Sequence, residues 1–383
     1  MKEIMKSLPE GWQAKAKELG AMERKSGVIR SAETLLRLNM LYVTNGGSFQ
    51  MAAQGLALTE GLKLSKVAAF KRIKNSGEWM RWMAKELCEG TGMAIPKPEF
   101  LGERHVVLID ASSEGVKGGK GGTYRLHYAF DLFNFRSKSV EVTGINEGEK
   151  LSRYQIGAGE IAMADRMYCS MAGIEHVVSG GGDYLLRFRA NAFNLYDENG
   201  VKLALLPLLR KLKPLEGMDI PCFYKLDGRL RPVRIVAMKK DAKAIEASKR
   251  KMARKASKEQ RRVARADTVE LCEYVVLVTS LEDTNEQILE LYRARWQIEQ
   301  LFYRLKSLFG FGDTPSKRDD TVRAWFYGKL LLAAWCESIL KTMSFPPELD
   351  TMLVDIVGTQ FMERIVPDLE MGHSDSLAVW PPY

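Results

Sequence analysis

The sequence has few of the residue patterns that hold structural metals or disulfides. Its 383 residues contain five cysteines and four histidines, and these are scattered, without a Cys-x-x-Cys pair or the spacing of zinc ligands. Such a pattern is typical of free thiols in a reducing compartment. We therefore expect a cytoplasmic protein without a structural zinc site.

Long apolar runs and internal repeats are also absent. No uninterrupted apolar stretch approaches the ~20 residues that span a bilayer, and the first residues lack the apolar core of a signal peptide. The glycine-rich stretch GVKGGKGGT does not have the residue order of a P-loop. We therefore expect no membrane partner and no P-loop nucleotide site.

Positive charge is abundant and concentrated in one segment. The chain has a formal net charge of +9, with 46% hydrophobic and 27% charged residues, as in ordinary globular proteins. Between Lys239 and Arg265 there are twelve basic and three acidic residues, so this segment alone has a net charge of +9. Such a run predicts a polyanionic partner, although a solvated helix face without a partner would have the same composition.

The first 95 residues predict a helical, DNA-binding domain. Ser31, Ser48 and Ser65 each precede a helical pattern at the N-cap position, and Ser65 is expected to begin a helix that continues to Gly90. The helical patterns on either side of the short GLKLS turn suggest a helix-turn-helix. Its second helix has four cations that we predict to contact DNA: Lys66, Lys71, Arg72 and Lys74.

From His105 the pattern changes to that of an α/β domain. The run HVVLID predicts a strand that ends at Asp110, residues 123–145 predict a hairpin, and EIAMAD predicts a strand that ends at Asp165. A short helix over EKLSRYQI and strands over GIEHVVS and DYLLRFRA complete the pattern. This order predicts a ribonuclease-H-like mixed sheet.

The pattern of that sheet is interrupted before its closing helix. Residues 191–282 combine short strand patterns with the basic segment 239–265, and the helical pattern resumes only after them. We therefore predict a helical DNA-binding domain over 1–95, a catalytic core over 100–190 and 283–345, a strand-containing insertion over 191–282, and a helical tail over 346–383.

The stretch LYRARWQIEQLFYRLKSLFG predicts a single helix from Leu291 to Gly310. On a helical wheel, four polar residues fall within about 60° of one another; they are Tyr292, Arg295, Glu299 and Lys306. The opposite face is apolar and is expected to enter the core; it contains Ile298, Leu301, Leu305 and Leu308. A surface helix can have the same polar stripe, and an Arg–Glu pair there contributes only a few tenths of a kcal/mol. The stripe also suits a glutamate that holds a metal beside groups that bind phosphate.

Three carboxylates could form a two-metal site. Asp110 and Asp165 follow apolar strand patterns, and Glu299 lies in the later helix. Carboxylate oxygens are the ligands that Mg²⁺ prefers, and two such ions about 4 Å apart can activate an attacking hydroxyl and stabilise the leaving oxygen of a phosphodiester. Because aspartates at strand ends also cap turns, these residues alone leave three rival carboxylates open: Asp131, Asp183 and Glu114.

The spacing of the polar stripe resembles the Tyr-Arg-Glu-Lys signature of bacterial insertion-sequence transposases of the insertion-sequence-four family. The stretches IDASS and ADRMY resemble the two aspartate motifs of that family, with Met167 where the family usually has glycine. The resemblance covers roughly residues 10–345. It implies that Asp110, Asp165 and Glu299 are catalytic and bind two Mg²⁺ ions, for which Mn²⁺ can substitute, and that Tyr292, Arg295 and Lys306 bind DNA phosphates.

The resemblance implies a cut-and-paste transposase that acts on double-stranded DNA. Such an enzyme would bind the terminal inverted repeats, cleave at the ends and join the 3′ ends to target DNA, as a homodimer when two ends are paired and in association with the nucleoid. Two alternatives stay open: a catalytically silent DNA-binding regulator derived from a transposase, and a ribonuclease-H-like nuclease without a joining step. Further candidates for DNA contact lie in the basic segment: Arg250, Lys251, Arg254, Lys255, Arg261 and Arg262.

Overall fold

The structure is a computed structural model that describes residues 4–22, 27–90, 96–119, 121–189, 192–258, 266–312 and 314–342. The side chains of residues 255–258, 337 and 339–342 also lie outside the described part. Within residues 4–90, the described chain forms a 3-10 helix (Ile4–Ser7) and five α-helices, namely α1 (Trp12–Glu18), α2 (Ala32–Thr44), α3 (Phe49–Glu60), α4 (Lys66–Ile73) and α5 (Gly77–Gly90).

The three expected N-caps are present. The hydroxyl oxygens of Ser31, Ser48 and Ser65 each accept a hydrogen bond from the backbone N–H three residues later, at 3.1–3.2 Å. Each bond satisfies a donor that the first helical turn leaves without a partner. The helix pair on either side of the GLKLS turn is therefore present as α3 and α4.

The single helix predicted from Ser65 to Gly90 is wrong, because the chain breaks between α4 and α5. Ser76 is fully buried at this break. Its hydroxyl donates to the carbonyl of Arg72 at 3.0 Å and accepts from Asn39 Nδ2 at 3.1 Å. Side-chain bonds of this kind offer the backbone an alternative to the helix, and the contact with Asn39 could not be read from local sequence.

Eight strands form one mixed sheet, in the order β3-β2-β1-β4-β5-β8-β7-β6. The strands are β1 (His105–Gly115), β2 (Gly122–Asp131), β3 (Arg136–Gly144), β4 (Glu160–Ala164), β5 (Asp183–Arg187), β6 (Gly217–Leu226), β7 (Arg229–Lys239) and β8 (Tyr274–Thr279). β1, β4 and β5 are parallel, and β2 and β3 are the predicted antiparallel hairpin. The mixed α/β fold is consistent with the predicted ribonuclease-H-like sheet.

Strand β1 is longer than the sequence suggested. It was expected to end at Asp110, but it continues to Gly115. Only its first part pairs with β4, and the last pair in that register is Ile109 with Ala164. The apolar run in the sequence corresponds to the buried first part of β1. The residues from Asp110 onward are more polar, so apolar patterning did not predict that the strand continues.

Two short segments after β3 also differ from the expectation. GIEHVVS is not a strand but belongs to α6 (Met171–Ser179), whose N-cap Ser170 accepts a bond from the backbone of Gly173 at 3.1 Å. The apolar residues Ile174 and Val177 are buried at helical spacing, and so short a run does not distinguish helix from strand. In EKLSRYQI only a 3-10 helix forms, over Leu151–Arg153.

The segment 191–282 adds strands to the same sheet. β8 pairs antiparallel with β5, and β7 and β6 follow outward from it. The β6–β7 hairpin closes through Asp227 and Gly228, which have φ angles of 49° and 76°; an Asp-Gly pair is typical of such a left-handed two-residue turn. This segment also contains α7 (Leu205–Leu209), α8 (Ala242–Lys258) and α9 (Ala266–Leu271).

Three helices complete the described chain: α10 (Asn285–Arg293), α11 (Trp296–Leu308) and α12 (Asp319–Thr342). At the start of α10, Thr284 and Gln287 form a reciprocal capping box. The described helices include none with the length and apolar character needed to cross a membrane. The predicted tail over 346–383 lies outside the described residues.

The chain divides into two compact units. The first comprises residues 1–95, 110–148 and 298–344, and its core includes Tyr42 packed edge-on against Trp325 with ring centroids 5.8 Å apart. The second comprises residues 96–109, 149–297 and 345–383. In this unit every residue of β8 is buried, and Arg104 forms an ion pair with Asp283 at 2.7 Å. The sequence-based domain boundaries stay a prediction.

Candidate active site

The predicted signature helix is broken in the middle. α10 ends at Arg293 and α11 begins at Trp296, and the backbone N–H of Arg295 bonds to the carbonyl of Tyr292 at 3.1 Å, which is a tighter turn than that of an α-helix. The single helix from Leu291 to Gly310 is therefore wrong. No proline or glycine marks the break, so tertiary packing overrides a uniformly favourable helix propensity.

The break divides the signature between two helical segments. Tyr292 and Arg295 precede α11 and belong to the second unit, whereas Glu299 and Lys306 lie on α11 and belong to the first. Ile298 and Leu305 are buried as expected, but Leu308 is 71% exposed, so its assignment to the core is wrong. Leu308 is the last residue of α11.

Asp165 directly follows β4, as predicted, and lies next to the signature tyrosine. Its Oδ1 accepts a hydrogen bond from the backbone of Met167 at 2.7 Å. The hydroxyl of Tyr292 donates to the carbonyl oxygen of Ala164 at 3.4 Å, across 128 positions of sequence. Burial raises the pKa of Tyr292 to about 12, so this phenol is a neutral hydrogen-bond donor at physiological pH.

Arg187 joins this arrangement, although sequence reasoning did not select it. β4 and β5 are parallel with Ala164 opposite Leu186, so Arg187, the last residue of β5, lies level with Asp165, which directly follows β4. Arg187 Nη2 donates to the carbonyl of Tyr274 at 3.1 Å. The signal in the sequence that could have identified Arg187 is its position as a cation at the end of the buried strand DYLLR.

The charges around Arg187 form a compact cluster within the second unit. Desolvation lowers the pKa of Arg187, the positive charges of Arg166 and Arg295 act in the same direction, and Tyr292 and Asp165 oppose them. Arg295 is itself buried, with 9% of its surface exposed. We refer to Arg166, Arg187 and Arg295 as the arginine cluster. Three cations beside one carboxylate are suited to an anionic ligand such as a phosphate.

Lys240, a member of the basic segment, lies near the same cluster. It is 5% exposed, and its Nζ donates to Ser248 Oγ at 2.7 Å and to the carbonyl of Cys272 at 2.8 Å. Burial lowers the pKa of Lys240 to about 8, and the positive charges of Arg187 and Arg166 act in the same direction. The basic segment 239–265 therefore includes at least one cation that is buried.

Asp110 and Glu299 both belong to the first unit. Asp110 is half-buried within β1, and its Oδ1 accepts a hydrogen bond from the backbone of Ala111 at 2.8 Å. Glu299 is half-buried in the first turn of α11. Lys306 lies further along α11 and forms an ion pair with Glu114 at 3.1 Å between Nζ and Oε1.

The contacts of the three rival carboxylates explain what each does in the fold. Asp131 is 4% exposed and accepts hydrogen bonds from Asn134 in the β2–β3 turn, at 2.7 Å from Nδ2. Asp183 Oδ1 accepts from Ser280 Oγ at 2.7 Å, which ties the start of β5 to the end of β8. Glu114 contacts Lys306. Asp131 and Asp183 thus have structural partners at turns and strand ends.

The described residues contain no group of three or more His, Cys, Asp or Glu side chains that could hold a metal ion. The predicted triad is divided between the units, with Asp110 and Glu299 in the first and Asp165 in the second. Its convergence therefore stays a prediction. The donors fit a hard divalent cation in kind, because all three are carboxylates that keep some exposed surface.

The predicted DNA contacts outside this region are mostly on the surface. In α4, Lys66 and Lys71 are exposed and Arg72 is half-buried, and Lys74 at the C-cap of that helix is also half-buried. In α8 the side chains of Arg250, Lys251 and Arg254 are exposed. Lys255 has no described side chain, and Arg261 and Arg262 lie outside the described residues. Exposed cations on helices are available to bind phosphate.

Comparison with known proteins links these features to one family. Residues 89–335 match the family described as "Transposase DDE domain". The chain is 28% identical to InsL for insertion sequence element IS186A of Escherichia coli strain K12 over 349 residues, which covers 88% of this chain and 93% of that protein. It is also 28% identical over 350 residues, with the same coverage, to the transposase for insertion sequence element IS421 of Escherichia coli. A transposase for insertion sequence element IS231F of Bacillus thuringiensis subsp. israelensis is 24% identical over 203 residues, which covers 48% of this chain and 42% of that protein.

Proposed function

The chain belongs to the Transposase DDE domain family, and we propose that it is a cut-and-paste transposase of the insertion-sequence-four family. It binds the terminal inverted repeats of an insertion sequence, cleaves DNA at the ends and joins the 3′ ends to target DNA. The observation that carries the proposal is the contact between the Tyr292 hydroxyl and the carbonyl of Ala164, because it brings the signature tyrosine to the residue before Asp165.

A DDE transposase domain acts with a divalent metal, and we propose Mg²⁺, with Mn²⁺ able to substitute. Asp110, Asp165 and Glu299 would hold two ions. When bound, these ions supply Lewis-acid activation of the attacking hydroxyl and stabilise the leaving oxygen. The register of the sheet supports the choice of aspartates, because each directly follows one member of the last parallel β1–β4 pair.

The residues around these carboxylates would hold the DNA backbone. The neutral hydroxyl of Tyr292 would exchange its long bond to the Ala164 carbonyl for a hydrogen bond to a phosphate oxygen, and Arg295 and Lys306 would supply positive charge to phosphate oxygens. Arg187 adds a fourth donor beside Asp165. A cation that is fixed by burial, as Arg295 is, positions a phosphate without further ordering when DNA binds, and this favours attack at one phosphodiester.

The remaining cations would bind DNA outside the reacting phosphates. The cations of α4 and of its C-cap would contact the inverted repeat, namely Lys66, Lys71, Arg72 and Lys74. The basic segment 239–265 would bind the DNA backbone. We further propose that two copies of the chain act together when two ends are paired, that the protein associates with the nucleoid, and that the chain has the domain boundaries predicted from sequence.

Incubation of the full chain with DNA that flanks its own gene tests the proposal. Wild-type protein with Mg²⁺ is expected to nick both ends and to yield joined products, while Glu299→Gln abolishes cleavage and leaves end binding within about twofold. Binding to the ends without any nicking in Mg²⁺ or Mn²⁺ would instead identify a silent regulator. Cleavage without strand joining on precut ends would identify a nuclease.

A further inference from the structure

Glu114 contacts the signature lysine. The sequence left this glutamate as a rival metal ligand, but in the structure its Oε1 lies 3.1 Å from Lys306 Nζ. Both residues belong to the first unit, Glu114 on β1 and Lys306 on α11. Neither the family signature nor the spacing of the carboxylates assigns a role to Glu114.

The two partners differ strongly in burial. The side chain of Glu114 is 3% exposed, and in the described part of the chain its Oε1 has this ion pair but no hydrogen bond. The side chain of Lys306 is 42% exposed. A buried carboxylate is costly unless a counter-charge stays beside it, so Glu114 holds the lysine in place. An ammonium has three N–H donors, and its exposed side leaves donors for a second anion.

The ion pair between Glu114 and Lys306 also indicates how α11 lies along β1. Asp110 and Glu114 are four residues apart and share one face of the strand, over a distance of about 13 Å. Glu299 and Lys306 are seven residues apart and share one face of the helix, over about 10.5 Å. These spacings are similar, so an ion pair at one end is compatible with Glu299 lying beside Asp110 at the other.

We propose that Glu114 is a positioning residue for Lys306. Its buried carboxylate fixes the ammonium beside β1, so that the remaining donors of Lys306 meet a phosphate of the bound DNA end. This inference rests on the proposed function of Lys306 as a phosphate ligand. It goes beyond that function because it assigns to a fourth carboxylate a role in orientation rather than in metal binding.

A double-mutant cycle with the full chain tests this role. Wild type, Glu114→Gln, Lys306→Gln and the double variant are compared for the rate of end cleavage at saturating end DNA with Mg²⁺, for the dissociation constant of end DNA, and for Tm. Glu114→Gln is expected to lower the cleavage rate about tenfold and to change the dissociation constant less than about threefold. In the Lys306→Gln background it should change the rate no further. Glu114→Asp keeps the charge and should recover part of the rate.

The stability measurements separate orientation from folding. Lys306→Gln leaves a buried carboxylate without its counter-charge and is expected to lower Tm more than the double variant does. The matched control is Glu89→Gln, which removes an exposed pair with Lys85 at 3.6 Å and should change neither rate nor Tm.

Two outcomes would overturn the inference while leaving the proposed function intact. One is a Glu114→Gln variant that cleaves as fast as wild type. The other is a loss of rate by the same factor in the presence and absence of Lys306, which would mean that Glu114 acts through the fold alone. A wild-type protein that cleaves no end DNA would overturn the proposed function itself, and the phosphate role of Lys306 with it.

Discussion

Positive charge occurs in two contrasting settings within the second unit. In the arginine cluster Arg295 is 9% exposed, and desolvation lowers the pKa of Arg187. On α8 the side chains of Arg250 and Arg254 are exposed, and Arg250 has only a loose i,i+4 pair with Glu246 at 3.7 Å. The same type of side chain is thus confined near Asp165 in one place and surrounded by water in the other.

This contrast predicts different roles for the two sets of cations. An exposed cation contributes to DNA affinity mainly by displacing counterions, and salt weakens that contribution strongly. A cation that is already desolvated and fixed interacts more strongly with a reacting phosphate and needs no reorganisation. We therefore expect the two desolvated members of the arginine cluster, Arg187 and Arg295, to act on the rate of the chemical step and α8 to act on affinity.

Among the cations of these two settings, the largest effect is expected from Arg187→Gln. Loss of a fixed donor beside Asp165 should lower the rate of end cleavage at saturating DNA by about 10²-fold, with little change in the salt dependence of binding. Because burial of this guanidinium is unfavourable, Tm should stay the same or rise slightly. Single-turnover cleavage and thermal unfolding measure the two quantities.

Arg166→Gln is the matched control for this experiment. Arg166 is exposed and directly follows Asp165 in the chain, so its loss should lower the cleavage rate much less than the loss of Arg187. A rate for Arg187→Gln equal to that of wild type, or a fall in Tm large enough to explain the lost activity, would remove the distinction between buried and exposed cations.

Those parts of the structure that depend on local chemistry could be predicted from the sequence. Ser31, Ser48 and Ser65 were identifiable as N-caps because the bond from a serine hydroxyl to a backbone N–H three residues on is a local contact. The β2–β3 hairpin and the strand before Asp165 followed from apolar patterning.

What could not be predicted depends on partners distant in sequence. The break before α11 lies in a stretch of good helix formers, and only packing in the folded chain explains it. Lys240 is an unremarkable cation in the sequence, and its burial is accompanied by contacts with the distant residues 248 and 272. The bond from Arg187 to the carbonyl of Tyr274 likewise joins residues 87 positions apart. The role of Asp183 at a strand end likewise depends on Ser280, which is 97 residues away.

A smaller effect is expected from removing exposed charge on α8. The triple variant Arg250→Gln, Lys251→Gln and Arg254→Gln should weaken end binding roughly tenfold at moderate salt and reduce the slope of log affinity against log salt by up to about 3. The cleavage rate at saturating DNA should not change. Binding titrations measure this slope between about 50 and 300 mM salt, where counterion release dominates the affinity. An unchanged slope with a slower chemical step would reverse the roles assigned to the two settings.

The smallest effect is expected from Lys240, a buried cation within the basic segment. Its pKa is lowered to about 8 by burial, whereas an unfolded lysine titrates near about 10.4. Between these values the unfolded chain binds the proton that the folded chain has lost, so the contribution of Lys240 to the stability of wild type rises with pH across this window and is least favourable below about pH 8. The Tm of Lys240→Met minus that of wild type should therefore be most favourable to the variant near pH 7. This difference should decrease by a few degrees toward pH 10. The exposed Lys243→Met serves as control and should show no such trend. A difference in Tm between Lys240→Met and wild type that is constant with pH would mean that Lys240 is solvated like the cations of α8, since a fully solvated ammonium keeps its proton affinity on folding.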